Sequence, residues 1–246
     1  KRVTMFFYLL LLPLSLCAVS LNPWFDPIFD VKKKATIGNR SGKHVDALYV
    51  KGELETTVWN DIKAGIDVEA AKTDKNGFSF EAIRFTGLYR FQNDVISDPI
   101  SLVGGITLSF PRSAFRRDIS VFEPSPSYLE AHLIVGKEEV DCLDWSKRQW
   151  AYITFGLGTK ASSWLKTKLF YEINLYDWGH ASFSLATLSG FGSKKLFPFK
   201  SYSHVAYREL AFGFDYTYDI YRLGIKQTLY KRHYPSSFRV EFEVLL

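Results

Sequence analysis

The fold of this chain is decided by the stretch LYVKGELETTVWNDIKAGIDVEAAK at positions 48–72. In its first part, up to Val58, apolar side chains stand at even positions, while lysine and glutamate stand at odd positions. In its second part, from Ile62, lysine, aspartate and glutamate again alternate with isoleucine, valine and alanine. A period of two places successive side chains on opposite faces of a β-strand. Because the turn-forming pair Asn60-Asp61 separates the two parts, the stretch is predicted to be a hairpin of two long strands.

The same alternation continues along the rest of the chain. A third segment runs to about Phe91, and its parity slips once near Ala82 and Ile83, which predicts a β-bulge or a late strand start. Residues 28–39 supply a first strand, since a barrel with both termini on one rim needs an even number of strands. The remaining strands are predicted at 100–110, 129–135, 149–158, 164–175, 180–191, 206–218, 221–229 and 238–246.

The linkers between these segments differ in length according to the rim on which they fall. The short ones, Asn60-Asp61, 176–179 and Asp219, are predicted on one rim. The long ones, 111–127 and 192–203, are predicted on the other rim. The eleven-residue linker EEVDCLDWSKR at 138–148 is an exception to this rule.

Composition excludes several classes of protein. Of the 246 residues, 47% are hydrophobic and 17% are aromatic, which argues against a disordered chain. The net charge is +5, and it falls to +3 (5 minus 2) without Lys1 and Arg2. A charge this small gives no reason to expect a nucleic-acid partner.

The first twenty residues, KRVTMFFYLLLLPLSLCAVS, are predicted to be a cleaved secretory signal peptide. They combine a basic start, an apolar stretch shorter than the roughly 20 residues of a spanning helix, and small residues at the end. Residues 21–27 then form a short N-terminal periplasmic segment. Cys17 would leave with the signal, so Cys142 is expected to be the sole cysteine of the mature chain and to form no intramolecular disulfide.

Alternation alone does not say which face of the strands meets solvent, because soluble sandwiches alternate too. Three observations favour apolar side chains that face lipid. Charges stand in the middle of the polar face of many strands, and the strands match the roughly nine to eleven residues of a tilted bilayer crossing. Aromatic residues gather near strand ends, as in interfacial girdles. They are Trp59, Tyr89, Phe91, Phe110, Trp150, Trp164, Tyr176, Trp178, Tyr216, Tyr218, Tyr221 and Tyr230.

Backbone groups in hydrocarbon must all be paired, so exported strands that meet lipid are expected to close on themselves. The prediction is an all-β chain whose residues 28–246 form a closed antiparallel up-and-down transmembrane β-barrel of about 12 strands, with a range of 10–12.

With its export signal, its alternation and its terminal FRVEFEVLL (238–246), the chain resembles bacterial outer-membrane β-barrel proteins as a class. That resemblance implies an outer-membrane location, contact with outer-membrane lipid and lipopolysaccharide, and recognition of the C-terminal strand by the barrel assembly machinery. The chain departs from the class pattern at its end, because such strands usually finish on an aromatic residue and this one finishes on Leu246.

The function predicted from these patterns is a narrow solute channel, or porin-like pore, with a mixed-charge lumen and no cofactor or metal. A structural or adhesive surface barrel without a pore, binding through loops 111–127 and 192–203, remains an alternative. The residues predicted to line the lumen are Lys51, Glu53, Glu55, Lys63, Asp67, Glu69, Lys166, Lys168, Glu172, Arg222, Lys226, Arg239, Glu241 and Glu243.

A second alternative is a lipid-modifying outer-membrane hydrolase. His180 and Ser182 share one strand face, where an imidazole could activate a hydroxyl, and they resemble the His-x-Ser pair of outer-membrane phospholipases and lipid A deacylases. Those families also use an Asn or Glu one strand later to orient the histidine. Residues 181–207 contain no Asp, Glu, Asn or Gln, so the pair lacks its third member at the expected place.

Overall fold

The structure is a computed structural model. It describes residues 21–42, 45–73, 77–96, 98–111, 127–141, 145–158, 163–174, 178–192, 208–232 and 237–245. The predicted signal peptide, Cys142, Tyr176, Leu246 and most of the two long loops therefore lie outside the described residues. No helix in the described part is long and apolar enough to span a membrane.

Twelve antiparallel strands form one closed barrel in which each strand pairs with its neighbours in the chain. The first and last strands also pair with each other, from Lys34 opposite Leu245 to Gly42 opposite Ser237. The predicted fold class and strand number are therefore confirmed. The strands are β1 Val31–Gly42, β2 Val45–Trp59, β3 Ile62–Thr73, β4 Ser79–Gln92, β5 Ser101–Pro111, β6 Tyr128–Asp141, β7 Trp145–Gly158, β8 Trp164–Asn174, β9 His180–Gly190, β10 Arg208–Tyr218, β11 Tyr221–Arg232 and β12 Ser237–Leu245.

We call the rim where β1 begins and β12 ends the turn rim, and the other rim the loop rim. On the turn rim, β2 and β3 are joined by Asn60-Asp61 alone, as predicted. Arg90 holds this turn, since its Nη2 donates to the Asn60 carbonyl at 2.6 Å and its Nε to Asp61 at 3.2 Å. Asp219 of the β10–β11 turn has a φ of 52°, the left-handed conformation that short hairpin turns require.

The predicted linker at 138–148 is wrong. β6 and β7 run through it, with Glu138 opposite Arg148 and Asp141 opposite Trp145, so only residues 142–144 join the two strands. The segment looks like a loop because its residues are polar on both faces. The inward polar side chains pair with each other at the turn rim, where the Arg148 Nε lies 3.0 Å from Glu138.

The slip in alternation predicted near Ala82 and Ile83 is a β-bulge in β4. Glu69 of β3 lies opposite Ala82, and the next residue, Ala70, lies opposite Phe80. Glu81 therefore has no paired residue on β3. Glu81 and Ala82 are both buried although they are consecutive, which is the signature that a bulge leaves in a burial pattern.

Apolar side chains cover the outside of the barrel, and polar ones fill the inside, as predicted. Leu169 is 56% exposed on the outer face, for example, whereas Lys63 and Glu69 are each 1% exposed on the inner face. Two of the predicted girdle residues are assigned wrongly, because Trp164 is fully buried inside the barrel and Trp150 also faces inward. Outward-facing aromatics near the turn rim are Trp59, Tyr89, Phe91, Trp178, Tyr216, Tyr218 and Tyr221.

Candidate functional site: the barrel interior

Contacts that skip a strand show that the polar side chains meet inside the cylinder. Tyr49 of β2 donates a hydrogen bond to Glu241 of β12, although β1 lies between these strands. Lys166 of β8 lies 2.5 Å from Glu130 of β6, although β7 separates them. Side chains can pass over an intervening strand in this way only on the concave face of the sheet.

Arg84 of β4 is the centre of a buried charge cluster against β2 and β3. Its Nη1 donates to both carboxylate oxygens of Asp67 at 3.1 Å, and its Nη2 donates to Glu69 at 3.1 Å. Its Nε reaches the Tyr128 hydroxyl of β6 at 3.3 Å. Lys51 adds a second cation 3.7 Å from Asp67. Because burying an unpaired charge is costly, removing one member of this cluster is expected to destabilise the barrel.

A second buried pair closes the same wall nearer the turn rim. Lys63 lies 3.2 Å from Glu55, and the side chains of both residues are almost fully buried. Asp26, which precedes the barrel, lies 4.0 Å from Lys63 and 2.5 Å from Lys32. The interior wall of β1–β3 is therefore tied electrostatically to the residues before β1.

A row of four buried polar side chains crosses β4 to β7. The Thr86 and Thr107 hydroxyls are 2.8 Å apart, Thr107 lies 2.8 Å from Nε2 of His132, and Nδ1 of His132 lies 2.8 Å from Thr154. Both ring nitrogens of His132 are thereby occupied by hydroxyl groups. The row is a structural link between neighbouring strands, because the histidine has no nitrogen left for a solute or a nucleophile.

Residues 21–27 enter the turn-rim end of the barrel. Leu21 and Phe25 pack against the inward-facing Leu88, Val103 and Ile134 of β4, β5 and β6. The Phe25 ring also lies under Arg90, with 4.8 Å from the guanidinium carbon to the ring centroid. The predicted N-terminal segment thus fills part of the interior on the β4–β6 side. We call it the N-terminal plug.

A ladder of rings joins the plug to β8. Trp24 meets Trp150 of β7 edge-on at 5.5 Å, and Trp150 stacks on Phe170 of β8 at 4.4 Å with the rings 8° from parallel. The ladder ends at Lys168, whose Nζ lies 4.0 Å from the centroid of the Phe170 ring. Trp24 is fixed at the other end by a 3.2 Å hydrogen bond from its indole N–H to Asp94.

The opposite wall is built differently. The inward positions at the middle of β9 and β10 carry small residues, namely Ser182, Ser184, Ala186, Ala211 and Gly213, and larger inward side chains lie towards the strand ends. The charged side chains that flank this wall keep contact with water. Their exposed fractions are 30% for Lys166, 34% for Arg222, 28% for Arg239 and 33% for Glu241.

All fourteen residues predicted to line the lumen lie on the inward face, but they separate into two groups. The six on β2 and β3 belong to the buried clusters, where Lys63, Asp67 and Glu69 are nearly inaccessible. The eight on β8, β11 and β12 lie around the less filled side. Their ion pairs include Arg222 with Asp215 at 3.2 Å and Glu243 at 3.7 Å, Arg239 with Glu241 at 3.1 Å, Lys166 with Glu130 at 2.5 Å, and Glu172 with Arg148 at 3.6 Å.

His180 and Ser182 of β9 share the inward face, as predicted. The Ser182 hydroxyl lies 3.5 Å from Asp215 of β10, and that carboxylate is already paired with Arg222. The pairing of β8 with β9 places Asn174 opposite His180. The strand after β9 was expected to supply an amide or carboxylate beside His180, but the amide next to it is Asn174 of the preceding strand, β8. The Ser182 hydroxyl meanwhile contacts Asp215 of β10.

The sequence reasoning missed several residues of the interior. Arg84 was hidden by the bulge at Glu81, which shifts the parity of β4. The plug residues Trp24 and Phe25 carry no alternation that would place them inside. Glu130 and Asp215 stand on the polar parity of their strands and could have been included on that signal alone.

The outer wall has a groove of about 490 Å³ between β2 and β5. It is lined almost wholly by apolar groups, including Leu54, Ala64, Phe85 and Ile106, and it lies where Gly87 has no side chain. Its chemistry suits an acyl chain rather than a polar solute, so the groove belongs to the lipid-facing surface.

No protein-family model matches the sequence, and no curated protein matches it either. Solved structures do resemble the barrel. The NanC porin is 12% identical, with 87% of this chain and 100% of that chain covered and a TM-score of 0.53. An outer-membrane channel from Pseudomonas putida F1 is 7% identical, with 93% and 100% covered and a TM-score of 0.57. LpxR from Salmonella typhimurium is 7% identical, with 87% and 99% covered and a TM-score of 0.50. At these identities the likeness shows the fold, which is that of outer-membrane β-barrel proteins.

Proposed function

We propose that this outer-membrane-type β-barrel is a narrow solute channel with a mixed-charge lumen. The observation that carries the proposal is the uneven filling of the interior. Lys166 of β8, Arg222 of β11, and Arg239 and Glu241 of β12 are 28–34% exposed, whereas Glu55, Lys63, Asp67 and Glu69 of β2 and β3 are at most 3% exposed in their ion pairs. Charged groups that keep water contact inside a cylinder favour a hydrated path along that wall.

The path is narrow because one side of the interior is occupied. The plug, the ring ladder and the aromatic pair Tyr128–Trp164, 5.3 Å apart, take up the space in front of β4–β8. The small residues at the middle of β9 and β10 leave room on the other side. Small hydrophilic solutes therefore suit this channel better than folded macromolecules or long polymers.

Planar-bilayer recordings on the purified, folded chain test the proposal directly. We expect discrete conductance steps that are smaller than those of an unobstructed barrel of the same strand number. A preparation unfolded by heat, checked by its altered migration on a denaturing gel, serves as the control. The absence of steps from protein with the migration of a folded barrel would refute the channel.

The same proposal includes location and assembly. The outward apolar surface suits outer-membrane lipid and lipopolysaccharide, and β12, which closes the barrel against β1, suits recognition by the barrel assembly machinery. Membrane fractionation of cells that express the chain with its first twenty residues is expected to place it with the outer membrane. Recovery in a soluble fraction would contradict the location.

The hydrolase alternative makes a different prediction. If His180 and Ser182 modify lipids, Ser182→Ala must abolish that activity while leaving the conductance of the barrel intact. We expect no change in lipid composition, because the Ser182 hydroxyl is engaged by Asp215 and lies inside the barrel. The adhesive alternative depends on loops 111–127 and 192–203, most of whose residues lie outside the described part of the chain.

A further inference from the structure

Lys168 and Lys166 stand two residues apart on the same inward face of β8, but their surroundings differ. The Lys166 Nζ is 2.5 Å from a Glu130 oxygen. Among the described residues, no carboxylate lies within ion-pair distance of the Lys168 Nζ, and its close contact is the Phe170 ring. Contact with an aromatic ring stabilises an ammonium group without cancelling its charge.

The position of Lys168 is fixed by the ring ladder. Phe170, which lies under the ammonium group, is stacked on Trp150, and Trp150 is packed against Trp24 of the plug. The lysine therefore stands at the edge of the filled half of the interior. Across the β8–β9 pairing it faces Ala186, and the following strand carries Ala211 opposite Ala186, so small side chains leave space on its open side.

The charges that face Lys168 from the other walls are Lys226, Asp215, Arg222 and Glu241. Arg222 lies 3.2 Å from Asp215, and Arg239 lies 3.1 Å from Glu241. Arg222 also lies 3.7 Å from Glu243, so in this group four cations, Lys168, Lys226, Arg222 and Arg239, are set against three acids, Asp215, Glu241 and Glu243. The electrostatic character of the space between β8 and β11 is consequently positive, and Lys168 contributes to it without a bound counter-charge.

We propose that Lys168 is the residue that makes the passage along β9 and β10 selective for anionic solutes. This inference rests on the proposed channel function and specifies the solute class that it favours. A small anion, such as chloride or a low-molecular-weight carboxylate, replaces some of its water by contact with the ammonium group. The Phe170 ring holds that group in place, and the anion leaves again because a single cation binds it weakly.

The test is the reversal potential of single channels in a KCl gradient, measured for the wild type and for Lys168→Gln. A unit charge about 6 Å from a passing ion in water changes the local population of that ion roughly threefold, and salt reduces the effect. The charge attracts chloride and repels potassium, so the two effects multiply to about ninefold without salt, and screening over about 6 Å roughly halves the energy. We therefore expect the chloride-over-potassium permeability ratio to fall by about threefold in Lys168→Gln. Lys168→Arg, which keeps the charge, is expected to retain the wild-type ratio, and Lys168→Glu is expected to favour potassium.

Lys137→Gln is the matched control, since it removes the same charge from an exposed position on the outward face of β6. It is expected to leave the ratio unchanged. Lys168→Met, which keeps the stem packed on Phe170, replaces the glutamine variant if that variant does not show the folded band. Conductance steps with an unaltered ratio in the neutral variant overturn the role of Lys168 and leave the channel standing. A wild type without steps overturns both proposals.

Discussion

Replacing Arg84 by methionine is expected to destabilise the barrel strongly. The substitution keeps most of the aliphatic stem and removes the guanidinium group that bonds to Asp67 and Glu69. The side chains of those acids are 3% and 1% exposed, so water does not replace the lost donors. Breaking a buried ion pair by removing one partner costs about 3–5 kcal/mol.

The lower end of that range applies here, because Asp67 keeps Lys51 at 3.7 Å after the substitution. We therefore expect the free energy of unfolding to fall by about 3 kcal/mol. Urea titrations of the barrel in lipid vesicles, followed by tryptophan fluorescence, measure this change. Arg84→Met combined with Asp67→Asn should recover part of the loss, since the neutral amide no longer needs a cation.

Arg239→Met is the matched control for this experiment. It also removes an arginine from an interior pair, with Glu241 at 3.1 Å, but those side chains are 28% and 33% exposed. Pairs with this much solvent contact contribute about 0–1 kcal/mol. Equal losses of unfolding free energy in the two variants would refute the distinction between the buried ion pairs of β3 and β4 and the more exposed pair on β12. A loss below about 1 kcal/mol in Arg84→Met would refute it as well.

Three further predictions concern the plug, the wall and the outer surface. The double variant Trp24→Ala with Phe25→Ala should weaken the docking of the plug by about 3 kcal/mol or more. It should also raise the unit conductance in planar bilayers. An unchanged conductance would show that the plug does not restrict the path. Gly156→Val should lower the free energy of unfolding by about 1–3 kcal/mol in urea titrations, because a Cβ at this position would collide with the Trp164 indole, and a neutral result would mean that the indole can move away. In single-tryptophan variants, brominated lipids should quench the fluorescence of Trp59, which is 68% exposed on the outer face. They should not quench that of Trp164, which is fully buried inside the barrel. Strong quenching of Trp164 would show that the inner and outer faces are assigned the wrong way round.

Much of the fold follows from local chemistry. The period of two assigns the face of each side chain, and a slip in that period marks the bulge at Glu81 because one extra residue reverses the parity. Tryptophan is different, since its amphipathic ring suits both a membrane interface and a polar interior. Trp164 faces inward because Glu130 accepts its indole N–H at 2.9 Å, a partner on another strand that periodicity does not reveal.

The sequence predicts which side chains face the interior, but it does not predict which of them pair with each other or stay exposed to solvent. Parity alone places Lys63 and Arg222 on the inner face. Which of them is sealed and which is wet depends on the neighbouring side chains at the same height, and therefore on strand register around the whole barrel. The N-terminal plug is still less predictable, because its docking on Leu88, Val103 and Ile134 is a tertiary contact between segments with no common pattern.

Barrel size explains why this interior has two kinds of wall. Eight strands enclose a space that side chains can fill by themselves, and the diameter grows roughly in proportion to the strand number. Twelve strands therefore enclose more volume than side chains from the wall can fill, and the remainder must hold either water or additional protein. Here the plug and the large rings of β6–β8 take one side, while the small residues of β9 and β10 leave more space on the other side. Buried ion pairs and more exposed charges can then occupy the same lumen, because the two sides differ in solvent access. The Arg84 side chain on the filled side is 12% exposed, whereas the Arg222 side chain on the open side is 34% exposed.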